Sequence, residues 1–274
     1  MPELPEVETI VQQLKPQIQD RKIIKTEILR SSQWKNPENA VFILENSTIK
    51  QISRRAKFII FELENGFRLI IHLRMTGKLI WNENLYARDR YARTIFHLDN
   101  GSHLQYIDTR ALGRLEIVAP NFEPDCLKKL GIEPLDDDFQ IDILRQLLDK
   151  SKLEIKDFLI DQKKIAGIGN IYANEILFRS GIHPKRVSSS LTAPETERLF
   201  HTIPKVLSTA ISRMGTTLGN KVSDYRNVYG KNGDFQTFLQ VYGRTGEPCL
   251  TCGEPIIRIV QKGRSSFVCE NCQK

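Results

Sequence analysis

Four cysteines near the C-terminus carry the clearest chemistry in this sequence. Cys249-Leu-Thr-Cys252 and Cys269-Glu-Asn-Cys272 stand sixteen residues apart, a C-x2-C-x16-C-x2-C pattern. Each C-x2-C turn aims two thiolates at one point, and two such turns complete a tetrahedral zinc site with no open position. One structural zinc ion per chain is therefore expected, in place of the core that residues 241–274 are too few to build alone. Between the pairs, Ile256–Val260 and Ser266–Cys269 read as two strands joined at Gln261-Lys262-Gly263-Arg264, which puts Arg264 at a hairpin tip suited to reaching a phosphate. Cys126, the odd fifth cysteine, reads as a small buried hydrophobe.

The opposite end of the chain offers a nucleophile. It begins Met1-Pro2-Glu3-Leu4-Pro5-Glu6, and removal of Met1 would expose Pro2 as a secondary amine. Such an amine attacking an aldehyde-like sugar carbon forms an iminium, a covalent electron sink. With no N–H left to lose, the cation persists and drives elimination. Glu3 next door can act as general acid and base. The same residues also suit an ordinary helix start, with proline in the first turn and acidic side chains near the positive end of the dipole. A third feature is Asp161-Gln-Lys163-Lys164-Ile-Ala-Gly167-Ile-Gly169-Asn170, leading into an apolar helical run. Gly167 and Gly169 permit a tight turn, Asn170 is expected as N-cap, and backbone N–H groups at such a start bind phosphate. A Gly-x-Gly turn is equally often only a turn.

The elements that must position these groups fall into an α+β order. Pro2–Gln19 reads as a helix, with Val7, Ile10, Val11 and Leu14 at helical spacing. From Ile23 to Val118 the pattern is β, with hairpins expected across Asn65-Gly66 and Asn100-Gly101, both turn residues at positive φ. The first domain (1–119) is then a β-sandwich carrying an N-terminal helix. Residues 120–138 read as an acidic linker punctuated by Pro120, Pro124 and Pro134. Helices are expected at roughly 139–150, 153–161, 170–180 and 192–214 in a second domain spanning 139–240, which ends in a long polar loop at 215–240. The cysteine unit at 241–274 follows.

Composition narrows the class. Charged residues make up 27% and hydrophobic residues 40%, which is globular. No apolar run approaches membrane-helix length, and the acidic N-terminus lacks a signal-peptide pattern, so a cytosolic protein is expected. The net charge of +7 is uneven: residues 120–150 carry −4, so the basic surplus sits on either side of them. That surplus fits a polyanionic partner, and it fits a merely soluble basic protein as well.

The order and wording of several segments carry more. Pro2-Glu3-Leu4-Pro5-Glu6-Val7-Glu8-Thr9, Arg54-Arg-Ala-Lys57-Phe58, His72-Leu-Arg-Met75-Thr-Gly77, Asp108-Thr-Arg110, Gly167-Ile-Gly-Asn170-Ile-Tyr-Ala-Asn-Glu175 and Val241-Tyr-Gly-Arg-Thr-Gly-Glu-Pro-Cys249 run in sequence along the chain. Together they closely resemble the bacterial formamidopyrimidine-DNA glycosylase family over essentially its whole length. The resemblance implies a bifunctional base-excision-repair enzyme. Its activity would be removal of 8-oxoguanine and formamidopyrimidines from double-stranded DNA, followed by β,δ-elimination at the abasic site. It implies Pro2 as nucleophile, Glu3 as acid/base, Glu6 as a supporting carboxylate, and Lys57 as the hairpin lysine beside the lesion phosphates. It implies His72, Lys163 and Asn170 as DNA contacts and Arg264 as a phosphate ligand at the zinc-hairpin tip. Met75, Arg110 and Leu112 would fill the stack vacated by the flipped base. The second domain becomes a helix–two-turn–helix unit, the 215–240 loop a closure over the lesion, and the assembly a monomer in the bacterial cytoplasm.

Two positions depart from the family pattern. Leu112 stands where phenylalanine is usual, and a leucine can wedge but cannot stack as an aromatic does. Tyr91 stands where a histidine is expected, so no phosphate contact is carried onto it. Two alternatives stay open beside the first reading. One is a pyrimidine-directed glycosylase of endonuclease VIII type, for which Pro-Glu-Gly rather than Pro-Glu-Leu would be expected. The other is a lesion-binding DNA protein without chemistry.

Overall fold

The structure, a computed structural model, describes residues 2–83, 88–219, 221 and 224–274. Met1, expected to be removed, lies outside them, as do positions 220, 222 and 223 of the expected lesion loop. The architecture is α+β, in two compact units: Met1–Lys128 with Arg213–Gln236, and Lys129–Ser212 with Thr237–Lys274.

The first unit opens with α1 (Leu4–Ile18), followed by β1 (Ile23–Ile28), β2 (Trp34–Lys35), α2 (Pro37–Leu44) and β3 (Ile49–Arg55). Then come β4 (Phe58–Leu63), β5 (Arg68–His72), β6 (Gly77–Asn82), β7 (Ala92–Leu98), β8 (His103–Asp108), β9 (Arg114–Val118) and a short α3 (Asp125–Lys128). Two sheets form, β1-β7-β8-β6 and β2-β9-β5-β4-β3. One hydrophobic cluster joins them: Phe96, Leu98 and Tyr106 from the first sheet, Ile59, Ile71 and Leu115 from the second. Val7, Ile10, Leu14 and Ile18 of α1 enter the same cluster, and α1 packs on β3 and β4. The expected helical spacing thus becomes the face that fixes the N-terminus to the sandwich.

Three details differ from the sequence reading. The stretch from Ile23 to Val118 is not all β, because α2 interrupts it. Asn36 turns the chain at φ 58°, Pro37 occupies the first helical turn, and Ala40 and Leu44 are buried. The Asn-Gly hairpins form, but each Asn-Gly is the end of a three-residue loop. Leu63 N–H bonds Phe67 C=O at 2.9 Å, and Leu98 N–H bonds Ser102 C=O at 2.9 Å. Only Gly66 and Gly101 have positive φ in those loops, the geometry of a type I turn closed by a left-handed glycine. Cys126 is half-buried rather than buried.

A fourth difference concerns the expected loop at 215–240. Its flanks are core of the first unit, with Tyr225 and Val228 in the central cluster and Thr216, Thr217 and Asn227 buried. Trp81 N–H bonds Val228 C=O at 2.9 Å, extending β6 to this segment. The described residues exposed between those flanks include Leu218, Gly219 and Lys221.

The second unit begins inside the stretch read as a linker. Gly131 N–H bonds Gln162 C=O at 2.8 Å, and Ile132 bridges Ile165 in parallel. A side chain at position 131 would meet Lys164 backbone, so only glycine allows this approach. Helices α4 (Ile141–Asp149), α5 (Ile155–Ile160), α6 (Asn170–Ser180) and α7 (Ala193–Ser212) follow, each end within two residues of expectation. α6 packs against α5, α7 and β11 of a hairpin formed by β10 (Ile257–Gln261) and β11 (Arg264–Val268). Among the described residues no helix is long and apolar enough to cross a membrane.

Candidate functional site

In the first unit, the N-terminus of α1 is built as a reciprocal capping box. Glu3 is the N-cap; its carboxylate accepts the Glu6 backbone N–H, and Glu6 Oε2 accepts the Glu3 N–H at 2.8 Å. Pro2, Glu3 and Glu6 are all buried, the two carboxylates at 2% and 1% exposure. Glu6 has a second duty, since its Oε1 accepts the Thr216 N–H at 2.7 Å. Gly215 makes this approach possible: it sits at φ 77°, and a Cβ there would come 2.7 Å from Glu6 Oε1. One carboxylate thus ties the start of α1 to the 213–236 segment.

Lys57 lies in the two-residue turn between β3 and β4, preceded by Ala56 at the left-handed φ of 52°. The turn is anchored to α1 by Arg54, whose Nε bonds Glu8 Oε2 at 2.7 Å and whose Nη1 bonds Ala56 C=O at 3.2 Å. In the sequence Arg54 and Glu8 stand only as parts of separate motifs. Their coupling across 46 positions is visible only once β3 lies on α1.

His72 ends β5, edge-on to Phe58 with ring centroids 4.6 Å apart. Its Nδ1 accepts the Arg74 N–H at 3.0 Å, so the ring shapes the turn that carries Met75. Burial, with help from the charges of Arg74 and Lys57, pulls its pKa from 6.5 to about 3. The imidazole is therefore neutral at physiological pH. As pH falls below about 6.5 the unfolded chain takes up a proton that the folded chain refuses, so His72 costs stability increasingly down to about pH 3 and nothing above 6.5. The His72 ring resonances are expected to stay flat between about pH 5 and 8, where an ordinary histidine titrates. His72→Gln should shallow the acid limb of stability against pH; an NMR titration and urea melts at several pH values check both.

Met75, Arg110 and Leu112 project from two neighbouring turns. Met75 is 47% and Leu112 39% exposed, so both apolar side chains are open to solvent. Arg110 Nη1 reaches Met75 Sδ at 3.5 Å, so the two lie side by side.

In the second unit the Gly-x-Gly turn is organised by Gln162, a residue with no signal of its own in the sequence. Its amide Nε2 donates to Ile160 and Ile168 C=O, each at 2.8 Å, and its Oε1 accepts the Gly167 N–H at 2.9 Å. Gly169, not Asn170, is the N-cap of α6. Asn170 is the first helical residue, and its Nδ2 turns to Ser265 C=O at 3.1 Å, one residue from Arg264. The two expected phosphate ligands are thereby brought together. Lys163 stands exposed ahead of the turn. Lys156 is a further residue the sequence does not single out: 1% exposed on α5, it donates from Nζ to Ser265 C=O at 2.7 Å and Ser266 Oγ at 2.6 Å. It stands among Lys152, Glu154 and Asp157 in the sequence, so no local pattern marks it. Arg264 opens β11 after a tight Lys262-Gly263 turn, both residues at positive φ, and is exposed.

The four cysteine sulfurs lie within 4.8 Å of one another, with Cys252 and Cys269 3.4 Å and Cys249 and Cys272 3.9 Å apart. Tetrahedral zinc with sulfur at about 2.3 Å requires sulfurs about 3.8 Å apart. Cys249, Cys252, Cys269 and Cys272 are thus positioned to bind one zinc ion. Glu175, buried on α6, supports the chain entering this unit by accepting the Gln240, Val241 and Tyr242 N–H groups at 2.9–3.0 Å.

Comparison with known proteins agrees with both units. Family models match residues 1–115 (formamidopyrimidine-DNA glycosylase N-terminal domain), 130–222 (formamidopyrimidine-DNA glycosylase H2TH domain) and 246–274 (zinc finger found in FPG and IleRS). The formamidopyrimidine-DNA glycosylase of Herpetosiphon aurantiacus is 42% identical, with 100% of both chains covered. That of Desulforamulus reducens is 39% identical, over 100% of this chain and 99% of the relative. Among solved structures, MutM (FPG) from Thermus thermophilus superposes with a TM-score of 0.90 at 36% identity, covering 99% of this chain and 98% of that one. Lactococcus lactis Fpg in complex with abasic-site-containing DNA gives 0.91 at 35% identity, covering 99% of each chain. The chain belongs to the formamidopyrimidine-DNA glycosylase family.

Proposed function

We propose that this protein is a bifunctional DNA glycosylase and abasic-site lyase of base excision repair, acting on 8-oxoguanine and formamidopyrimidines in duplex DNA. The observation that carries the reading is the α1 terminus of this family member, where a buried glutamate capping box directly follows Pro2. With Met1 removed, the Pro2 nitrogen donates its lone pair to sugar C1′, and the damaged base leaves with the glycosidic electron pair and a proton. Opening of the sugar ring yields an iminium at Pro2. Glu3 gives a proton to the ring oxygen and assists loss of the C2′ proton, which expels the 3′ phosphate; loss of the C4′ proton from the resulting conjugated iminium then expels the 5′ phosphate. Glu6 holds Glu3 and the 213–236 segment in place. Lys57, Lys163, Asn170 and Arg264 bind phosphates around the lesion, and neutral His72 supports the Met75 turn. Met75, Arg110 and Leu112 occupy the gap left by the flipped base. Zinc on its four cysteines cross-links the hairpin bearing Arg264. The protein works as a monomer in the bacterial cytoplasm, at the nucleoid.

Borohydride trapping tests the reading on duplexes carrying 8-oxoguanine opposite cytosine or an oxidised pyrimidine. A covalent adduct on the purine lesion, mapped to Pro2 in a protein lacking Met1, is expected. An adduct on the pyrimidine alone transfers the protein to the endonuclease VIII type, and binding without any adduct makes it a non-catalytic lesion binder. Pro2→Gly should slow adduct formation by about 10-fold or more, because a primary amine gives an imine that can shed its proton. Wild-type trapping rates in this variant would remove Pro2 from the mechanism.

A further inference from the structure

Both turns that present the exposed apolar residues contain a non-glycine residue in the left-handed region: Arg74 at φ 54° beside Met75, and Ala111 at φ 52° between Arg110 and Leu112. Such backbone persists only where its surroundings over-determine it. Here the surroundings converge on one fully buried carboxylate, Asp108, at the end of β8. Its Oδ1 accepts the Thr76 hydroxyl at 2.5 Å and the Arg110 N–H at 3.2 Å. Its Oδ2 accepts Gln33 Nε2 at 2.9 Å, the Gly113 N–H at 2.9 Å and the Tyr106 hydroxyl at 3.2 Å. Thr76 Oγ1 also accepts the Arg110 N–H at 3.3 Å, joining the two turns directly. The fit is close: a Cβ at Gly113 would overlap the Tyr106 hydroxyl, and one at Gly77 would overlap Leu73 backbone. Burial and Asp108 push the Tyr106 pKa upward, so its hydroxyl stays a donor.

We propose that Asp108, bridged by Thr76, is a positioning residue that holds the Met75 and Arg110–Leu112 turns in one register, so that wedging, not bond chemistry, depends on it. The proposal rests on the reading of those three side chains as the stack-filling residues. Five donors on one carboxylate make a rigid node, and removing a single bridge loosens the turns without unpairing the carboxylate. Thr76→Val is near-isosteric and removes only the bridge, whereas Thr76→Ser keeps it.

The test compares excision from a duplex with 8-oxoguanine opposite cytosine against elimination at a preformed abasic site in single strand, where no stack has to be opened. 2-Aminopurine beside the lesion reports unstacking, and thermal melts report folding. Thr76→Val should slow duplex excision and the fluorescence rise by about 3–10-fold, the scale of one hydrogen bond, and leave single-strand elimination unchanged. Thr76→Ser should restore both. Equal slowing on the two substrates, or wild-type excision by Thr76→Val, overturns the proposal. Met75→Ala separates the two failures: slow excision there beside normal Thr76→Val sinks only the positioning role, whereas normal excision there sinks the wedge reading. If Thr76→Val does not fold, Tyr106→Phe removes one donor from the other oxygen, and duplex excision at the wild-type rate in that variant is the overturning result.

Discussion

Glu3→Gln is expected to remove damaged bases and cleave abasic sites about 10²–10⁴-fold more slowly, with its fold and its affinity for damaged duplex intact. The glutamine oxygen still accepts the Glu6 N–H, and the Glu3 backbone N–H still reaches Glu6 Oε2, so both halves of the capping box survive. What disappears is the ability to give and take a proton. Melting within about 1 kcal/mol of wild type, the typical worth of a cap, is therefore the control that gives the kinetic loss its meaning. Glu6→Gln behaves differently. Both Glu6 oxygens accept backbone N–H groups, from Glu3 and Thr216, and a glutamine NH2 placed against either is a donor facing a donor. That variant should lose thermal stability along with activity. Single-turnover excision kinetics, duplex titration and thermal melts on the two variants decide the matter. Glu3→Gln at wild-type rate would leave the buried Glu3 carboxylate as a helix cap alone.

How much of this was legible in the sequence depended on how far apart the interacting residues lie. The zinc ligands can be read because each C-x2-C pair is a local turn and few ions suit four thiolates. α1 can be read because its apolar positions repeat at helical spacing and become one packed face. The 215–240 segment reads as part of the helical domain because it follows α7 directly, yet the described flanks belong with the sandwich. The bonds responsible, Thr216 to Glu6 and Trp81 to Val228, span 210 and 147 positions, which no local pattern encodes. The Asp108 node is the extreme case. Gln33, Thr76, Tyr106 and Gly113 have nothing in common as a motif until β8 closes against β6 and the β9 turn folds over it. Asn170 shows a subtler failure: asparagine before a helix reads as a cap, but here its side chain bonds Ser265 of the zinc hairpin and Gly169 takes the N-cap position.

That same hairpin bond makes the loss of zinc a second large effect. Cys249→Ser is expected to retain no zinc and to bind damaged duplex at least about 100-fold more weakly, since structural zinc contributes roughly 10–16 kcal/mol to folding small units of this kind. Cys249 is buried and its backbone closes the first ligand turn, accepting the Gly253 N–H at 2.9 Å and donating to Glu254 C=O at 2.8 Å. Without the metal, four sulfurs gathered within 4.8 Å have no ion to hold them together. The hairpin is then held by bonds at its tip and on β11, from Lys156, Asn170 and Asn174 and from Gln261 and Lys262 to Glu154 and Asp157, which keep Arg264 beside the α6 turn. None of those bonds reaches the 249–252 turn, so the strands fray from the cysteine end toward Arg264. The first unit has its own core and should keep its β-sheet signal. Native mass spectrometry counts the zinc, duplex titration reads the affinity, and chelation of the unmodified protein should reproduce both losses. Tight duplex binding by a zinc-free variant would mean that the helices alone position Arg264.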